Sequence, residues 1–274
     1  MVSIPHRFLH MSRIALALVL LFPATVLAQA PARGERAIAE AQGNDRWTLG
    51  LATSVTDSPY AGEGLRTRPL PYVTYEGERI FWRADTLGVH LVKTEGFMLD
   101  AIVSGRFDGV DKDDLGRSAL ARNGVDIDRL ADRDDGADAG LAARWGWGRN
   151  TLQLRAVADV TGTSEGYELA LDYGRRMSIG KSTIIPGIGM RWMSDNLADY
   201  YYGVRSTETF SGTAYRPGSA LVPSASVLFV RPLAGKWRLI GRLQYQRLPD
   251  ELADSPLLER NSTGQAIVIV ARGF

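Results

Sequence analysis

The chain has 274 residues, 32 Lys+Arg against 31 Asp+Glu, three His and no Cys. The lack of Cys excludes a disulfide scaffold and any Cys-ligated metal, and the near-neutral charge excludes a global basic field for nucleic acid. A mean hydropathy of −0.11 excludes a helical membrane protein, and 29 Gly with ten Tyr and six Trp suit turns and strands better than helices.

His6, Arg7, His10 and Arg13 make a polar, basic start. The apolar run Ile14 to Phe22 follows, and Val26-Leu27-Ala28 has the spacing of a signal peptidase site. The expectation is a secretory signal peptide over 1–28, cut after Ala28, because the run is too short to span a bilayer. Met11 also begins a complete signal. Residues 29–46 then form a short periplasmic segment ahead of a domain over 47–274. An exported chain without Cys points to a Gram-negative envelope.

From Trp47 onward the sequence alternates. Trp47, Leu49, Leu51, Thr53 and Val55 share one face, with Thr48, Gly50, Ala52 and Ser54 on the other. Phe97, Leu99, Ala101 and Val103 oppose Asp100, Ser104 and Arg106. The same pattern recurs near 137–147, 151–160, 167–173 and 237–246. Period two over about ten residues, repeated this often, is the mark of transmembrane β-strands. A soluble β-sandwich also alternates, but its strands are shorter and its polar face has no reason to carry paired charges. Twelve strands are expected: 47–55, 67–75, 78–84, 87–93, 97–107, 137–147, 151–160, 167–176, 183–192, 219–231, 237–248 and 263–274. The pair 78–84 and 87–93, joined by Asp85-Thr86, is the weakest, and its fusion leaves ten. Short turns at Glu76-Gly77, Lys93–Gly96, Gly148–Asn150, Met177–Lys181 and Leu233–Lys236 alternate with long connections, as in outer-membrane barrels. The fold class is therefore all-β, a transmembrane antiparallel β-barrel with a closed or narrow lumen and both termini periplasmic. Trp47, Trp147 and Trp237 fall at the periplasmic strand ends and Tyr167, Trp192 and Tyr245 near the other, as two aromatic belts require. Both faces of the last strand are apolar around Ile267–Val270, so periodicity leaves its lipid face open.

Several pieces, in order, carry a family resemblance: Trp47-Thr48-Leu49-Gly50, Ser58-Pro59-Tyr60-Ala61-Gly62, Leu70-Pro71-Tyr72-Val73-Thr74-Tyr75-Glu76-Gly77, Arg79-Ile80-Phe81-Trp82, Asp199-Tyr200-Tyr201-Tyr202-Gly203-Val204, Asp254-Ser255-Pro256-Leu257 and the terminal Phe274. Over nearly the whole mature chain the sequence resembles the MltA-interacting protein family, also called MipA/OmpV. The resemblance implies a non-enzymatic outer-membrane protein. It implies either a scaffold joining a lytic murein transglycosylase to a peptidoglycan synthase, or a surface protein. Phe274 looks like the signal read by the barrel-assembly machinery, with Arg272 a departure from that pattern. The other surroundings expected are outer-membrane lipid and lipopolysaccharide, and no nucleic acid.

No catalytic residue, cofactor or metal site is expected. His90, the one His after signal removal, should point into the lumen, because Leu87, Val89 and Leu91 occupy the other face; it reads as a hydrogen-bonded filler. Ser255, between Asp254 and Pro256, reads as a turn cap. The connection 108–136 carries nine Asp interleaved with Lys112, Arg117, Arg122, Arg129 and Arg133. It lacks the EF-hand order of Gly and closing Glu and reads as a solvated, self-paired surface loop; a divalent ion, or contact with cation-bridged lipopolysaccharide, is the sharper alternative. Asp100, Asp138, Asp159, Glu168 and Asp172 should face the lumen with Arg106, Arg144, Arg155, Arg191, Arg238 and Arg242. Mixed signs across a narrow lumen pair and fill it, which places a small-solute channel second. Tyr200, Tyr201, Tyr202 and Gly203 are candidates for a lid over the barrel mouth or for an interaction surface.

Overall fold

The computed structural model describes residues 45–274, so the expected signal peptide and all but the end of segment 29–46 lie outside the described residues. Thirteen strand segments follow in order: β1 (Trp47–Asp57), β2 (Leu65–Glu76), β3 (Ile80–Arg83), β4 (Thr86–Lys93), β5 (Phe97–Arg106), β6 (Gly136–Trp147), β7 (Asn150–Asp159), β8 (Tyr167–Arg175), β9 (Met177–Ile179), β10 (Ser182–Met193), β11 (Ala220–Pro232), β12 (Trp237–Arg247) and β13 (Ser262–Gly273). All pairings are antiparallel, and β1 pairs with both β2 and β13, so the sheet closes. β8 and β9 pair with β10 in one continuous register, Gly174↔Gly187 and Met177↔Ile184, broken only at Arg175 and Arg176. They make one stave, and the barrel has twelve. The stretch 177–181, expected as a turn, therefore narrows to Gly180-Lys181, where Gly180 takes a φ of 59°. Closure gives every stave a bonded neighbour on each side, over its whole length or part of it, as a chain in lipid requires.

The alternation sorts the faces as the sequence implies. Leu49, Leu51, Leu87, Val89, Leu141, Leu169 and Leu243 are exposed on the outer surface, while Thr48, Ala52, Ser54, His90, Asp100 and Ser104 are buried inside. β13 resolves its own ambiguity through register. Ile269 lies opposite Ala52 and Ile240 and turns inward with Ile267, leaving Val268 and Val270 exposed. One arc of the lumen is thus apolar, built from Ala52, Leu70, Tyr72, Ile240, Ile267 and Ile269. Most of the buried charges lie on the facing arc, on β5 to β10, with Arg83 and His90 on β3 and β4 and Arg242 on β12. Trp47, Trp147 and Trp237 are exposed at the short-turn end, and Tyr167 and Tyr245 at the long-connection end. Trp192 packs on Tyr167 with ring centroids 5.3 Å apart.

At the long-connection end three short helices stand over the mouth: α1 (Arg117–Arg122), α2 (Asp195–Tyr202) and α3 (Asp250–Ala253). α2 starts where Ser194 Oγ accepts the Leu197 N–H, the usual role of Ser at a helix start. It stops at Gly203, whose φ of −75° is ordinary. A Cβ there would sit 2.3 Å from the Asp199 carbonyl oxygen, so space, not a left-handed turn, demands the glycine.

The cap, the charged lumen and the cavity between them

The long connections bury one shared apolar cluster. Leu120 and Val125 come from the 107–135 segment, Leu197 and Tyr201 from α2, and Leu252 and Leu257 from the last connection; all are at most 2% exposed. The 108–136 connection is therefore not only a solvated loop. Its outer side does pair with itself, Arg117 gripping Asp128 through two bonds of 2.7 Å and Arg129 reaching Asp126 at 3.2 Å. Its inner side packs as core. Arg133 does not pair with the local acids. It reaches Glu208 at 3.2 Å and donates to the Gly203 carbonyl at 3.0 Å, so it fastens one connection to the next. Burial pushes the Glu208 carboxyl up, but the Arg205 N–H, Arg133 and the Ala131 N–H together hold it below the usual value.

The tyrosine triplet lies on α2. Tyr201 and Tyr202 are buried; Tyr200 is half-buried at the edge. The Asp134 N–H donates to the Tyr200 hydroxyl at 2.8 Å, and the Tyr201 hydroxyl donates back to the Asp134 carbonyl at 3.3 Å. Tyr60 stacks on Tyr202 and donates to the Tyr201 carbonyl at 3.1 Å. Burial pushes the hydroxyls of Tyr60, Tyr201 and Tyr202 above the ordinary tyrosine range. Ser255 caps its turn by accepting the Leu257 N–H and also donates to the Tyr202 carbonyl at 2.6 Å. These motif pieces, 58–62, 199–204 and 254–257, lie far apart in sequence and meet in the cap.

Below the cap the lumen is crossed by ion pairs. Arg106 on β5 holds Asp138 on β6 with bonds of 3.2 and 2.6 Å, Glu168 on β8 at 3.2 Å and Asp108 at 3.0 Å. Arg155 and Arg191 both approach Glu168 at 3.6 Å, and Arg155 also donates to Ser104. Arg144, Asp172 and Arg238 are half-buried rather than enclosed, whereas Arg242 is buried. Asp159 departs from the expectation. It sits at the rim, where its carboxylate accepts from Thr161, Ser164 and Glu165 N–H groups and shapes the short 160–166 turn.

Nearer the short-turn end, His90 lies between two carboxylates, Nδ1 2.7 Å from Asp100 and Nε2 3.1 Å from Glu76. Glu76 is further held by Arg83 at 2.6 Å, and the Phe81 ring stacks on the imidazole. The residue is a bonded lumen filler, as its position in the sequence implies; the carboxylates that hold it were not anticipated. Among the described residues no group of three or more His, Asp or Glu is arranged to hold a metal ion. At the chain end the Phe274 N–H donates to the Trp47 carbonyl at 2.9 Å and the Arg272 guanidinium lies 5.1 Å from the Phe274 ring. Asp45 bonds Lys236 and Arg238 at 2.8 and 3.0 Å at the same mouth.

Between the cap and the ion pairs lies a cavity of about 170 Å³, smaller than a typical drug-sized pocket of about 300–1,000 Å³. Tyr60 and Tyr202 form its ceiling, Arg106, Arg155 and Arg191 its charged wall, and Gln244 part of the opposite side.

The family model described as MltA-interacting protein MipA matches residues 49–274. The outer membrane protein YiaT of Escherichia coli (strain K12) is 32% identical over 225 residues, covering 79% of this chain and 86% of that protein. The MltA-interacting protein of the same strain is 29% identical over 235 residues, covering 83% and 89%. Among solved structures the chain is similar in fold to the translocator domain of the autotransporter NalP from Neisseria meningitidis, with a TM-score of 0.46 at 11% identity, covering 88% of this chain and 94% of that one.

Proposed function

The chain belongs to the MltA-interacting protein MipA family of outer-membrane proteins, and from that premise we propose that it acts by binding other envelope proteins rather than by conducting solutes or catalysing a reaction. The observation that carries this reading is the obstructed lumen. Arg106 is clasped by Asp138, Glu168 and Asp108, and the cap closes above them on a shared apolar cluster. Such a barrel is a rigid platform in the outer membrane. A relative carries the name MltA-interacting protein. That name supports a lytic murein transglycosylase as one partner, with a peptidoglycan synthase as the second member of the scaffold, or else a role at the cell surface. In this reading the leader 1–28 exports the chain, and Phe274 is the mark that the barrel-assembly machinery reads. The candidate residues Tyr200, Tyr201, Tyr202 and Gly203 serve as lid.

A small-solute channel is the second reading, favoured by the cavity alone. Affinity capture of the mature protein from detergent-solubilised envelopes separates the two. Recovery of a murein hydrolase or synthase supports the scaffold. Recovery of neither, together with stepwise conductance, contradicts it.

A further inference from the structure

The outer wall of the barrel carries few charges. On the short-turn halves of the staves the outward-facing charged residues are Arg175, Arg231 and Arg272, with no carboxylate among them.

Two of these arginines flank a residue of the aromatic belt. Arg231 is the last residue but one of β11, and Arg272 the last but one of β13. Both therefore lie at headgroup depth, and β12 runs between them. Arg231 stands opposite Leu239, which stands opposite the exposed Val270. Arg272 stands opposite Trp237 on one side and Leu49 on the other, both exposed. Directly opposed residues share a face of the sheet, so both arginines project outward beside Trp237. Ordinary strand spacing and rise put their Cα atoms about 12 Å apart. Two side chains of this length can converge across that gap.

The protein leaves both charges unmet. Asp45, the carboxylate at this mouth, is held by Lys236 at 2.8 Å and Arg238 at 3.0 Å. It lies on the lumen side, where a Cβ added to buried Gly273 would run into it. Among the described residues no carboxylate pairs with Arg231 or Arg272. The Arg272 guanidinium sits 5.1 Å from the Phe274 ring, toward the chain end, and so toward headgroups rather than hydrocarbon. The surroundings add to the imbalance. From β7 onward the turns 148–149, 180–181 and 233–236, and the strand ends beside them, contain no Asp or Glu. On the other half of the rim charges alternate in sign, with Glu78 beside Arg79 and Lys93 3.6 Å from Glu76.

We propose that Arg231 and Arg272, on either side of Trp237, form a binding site for an anionic phospholipid of the periplasmic leaflet, whose phosphodiester the two guanidiniums hold. Arginine forks match phosphate oxygens, and indole rings lie at headgroup level. The short turns place this end of the barrel at the periplasmic leaflet. A zwitterionic head would bring an ammonium group into uncancelled positive charge. A periplasmic protein can reach the turn tips, but these two side chains leave their strands sideways, where lipid is the neighbour. The site is independent of the scaffold reading, because it uses the outer wall and no envelope partner.

The test is native mass spectrometry of the full mature protein in a neutral detergent, after its heat-modifiable gel form has been checked. The protein is mixed with equal amounts of phosphatidylglycerol and phosphatidylethanolamine. The wild type should retain one phosphatidylglycerol in preference by about fivefold or more. Arg231→Gln combined with Arg272→Gln should abolish that preference. Arg247→Gln, an outward arginine at the other end that bonds Asn261 at 3.3 Å, should leave it unchanged. If the double variant does not give the folded form, each single variant should weaken the preference by itself. Equal retention of the two lipids by the wild type, or a preference that survives loss of either arginine and of both, overturns the site. Displacement of the lipid by millimolar inorganic phosphate shows a site for a free anion and overturns the lipid assignment.

Discussion

Arg106 sits where a charge is hardest to keep, 7% exposed in the wall of a membrane barrel. It is tolerated because Asp138, Glu168 and Asp108 surround it. Removing one member of such a cluster strands the others, which typically costs about 3–5 kcal/mol. Arg106→Gln should therefore lower the temperature at which the folded gel band converts to the unfolded one. An unchanged transition would show that the cluster is not structural. His90 occupies a milder position, because Glu76 keeps Arg83 as an alternative partner. His90→Ala should cost about 1–3 kcal/mol in unfolding assays through the partner it takes from Asp100, while leaving partner capture intact. Loss of an enzymatic activity on that change would contradict the non-enzymatic reading. Glu208 predicts a pH dependence of the cap. Its folded-state carboxyl is held below the usual value, so its contribution is complete above the unfolded value of about 4.3 and is lost as pH falls through the lower folded value. Asp135, which burial shifts up, acts in the opposite sense. Hydrogen exchange of residues 204–209, corrected for intrinsic rates, should thus quicken as pH falls below the unfolded carboxyl value of about 4.3. In Glu208→Gln it should be fast already at neutral pH, with that step gone.

At the scale of elements, the cap and the staves differ in how far they could be read in advance. The staves were legible because period-two patterning maps directly onto lipid and lumen faces: Leu87, Val89 and Leu91 out, His90 in. The short β3–β4 pair was legible too, and its two strands are real, but the shortness of β3, four residues, was not, because stagger between staves leaves no trace in periodicity. Pro69 and Pro71, which have no N–H to offer a second neighbour, lie where β2 pairs with β1 alone. The face of β13 needed register, since Ile267 to Val270 is apolar on both sides. The cap was the least legible part. In the 108–136 connection the acids and arginines drew attention away from Val110, Leu115, Leu120, Val125 and Leu130, spaced about every five residues, which is neither a helix nor a strand period. Changing Tyr200, Tyr201 and Tyr202 together to Ser removes two buried rings and the bonds to Asp134. It should raise protease cleavage of the long connections several-fold while the barrel keeps its folded gel mobility. Unchanged cleavage together with a lost surface or partner interaction would make the triplet a binding site instead of a lid.

The whole molecule combines a closed sheet, a charged arc facing an apolar arc inside, and a cap over the mouth with the long connections. Closure is completed by β13 against β1, and Phe274 extends that seam through its bond to Trp47. Deleting Phe274 should reduce the yield of heat-modifiable barrel in the outer membrane, and normal yield would show that assembly reads another feature. The cap and the Arg106 cluster lie in series along the barrel axis, so a solute would have to pass both. The most direct test of a sealed barrel that works through its surfaces is single-channel recording of the mature wild-type protein in planar lipid bilayers. Folded, heat-modifiable protein should give a silent baseline at about neutral pH, and reproducible conductance steps from the same preparation would contradict the account.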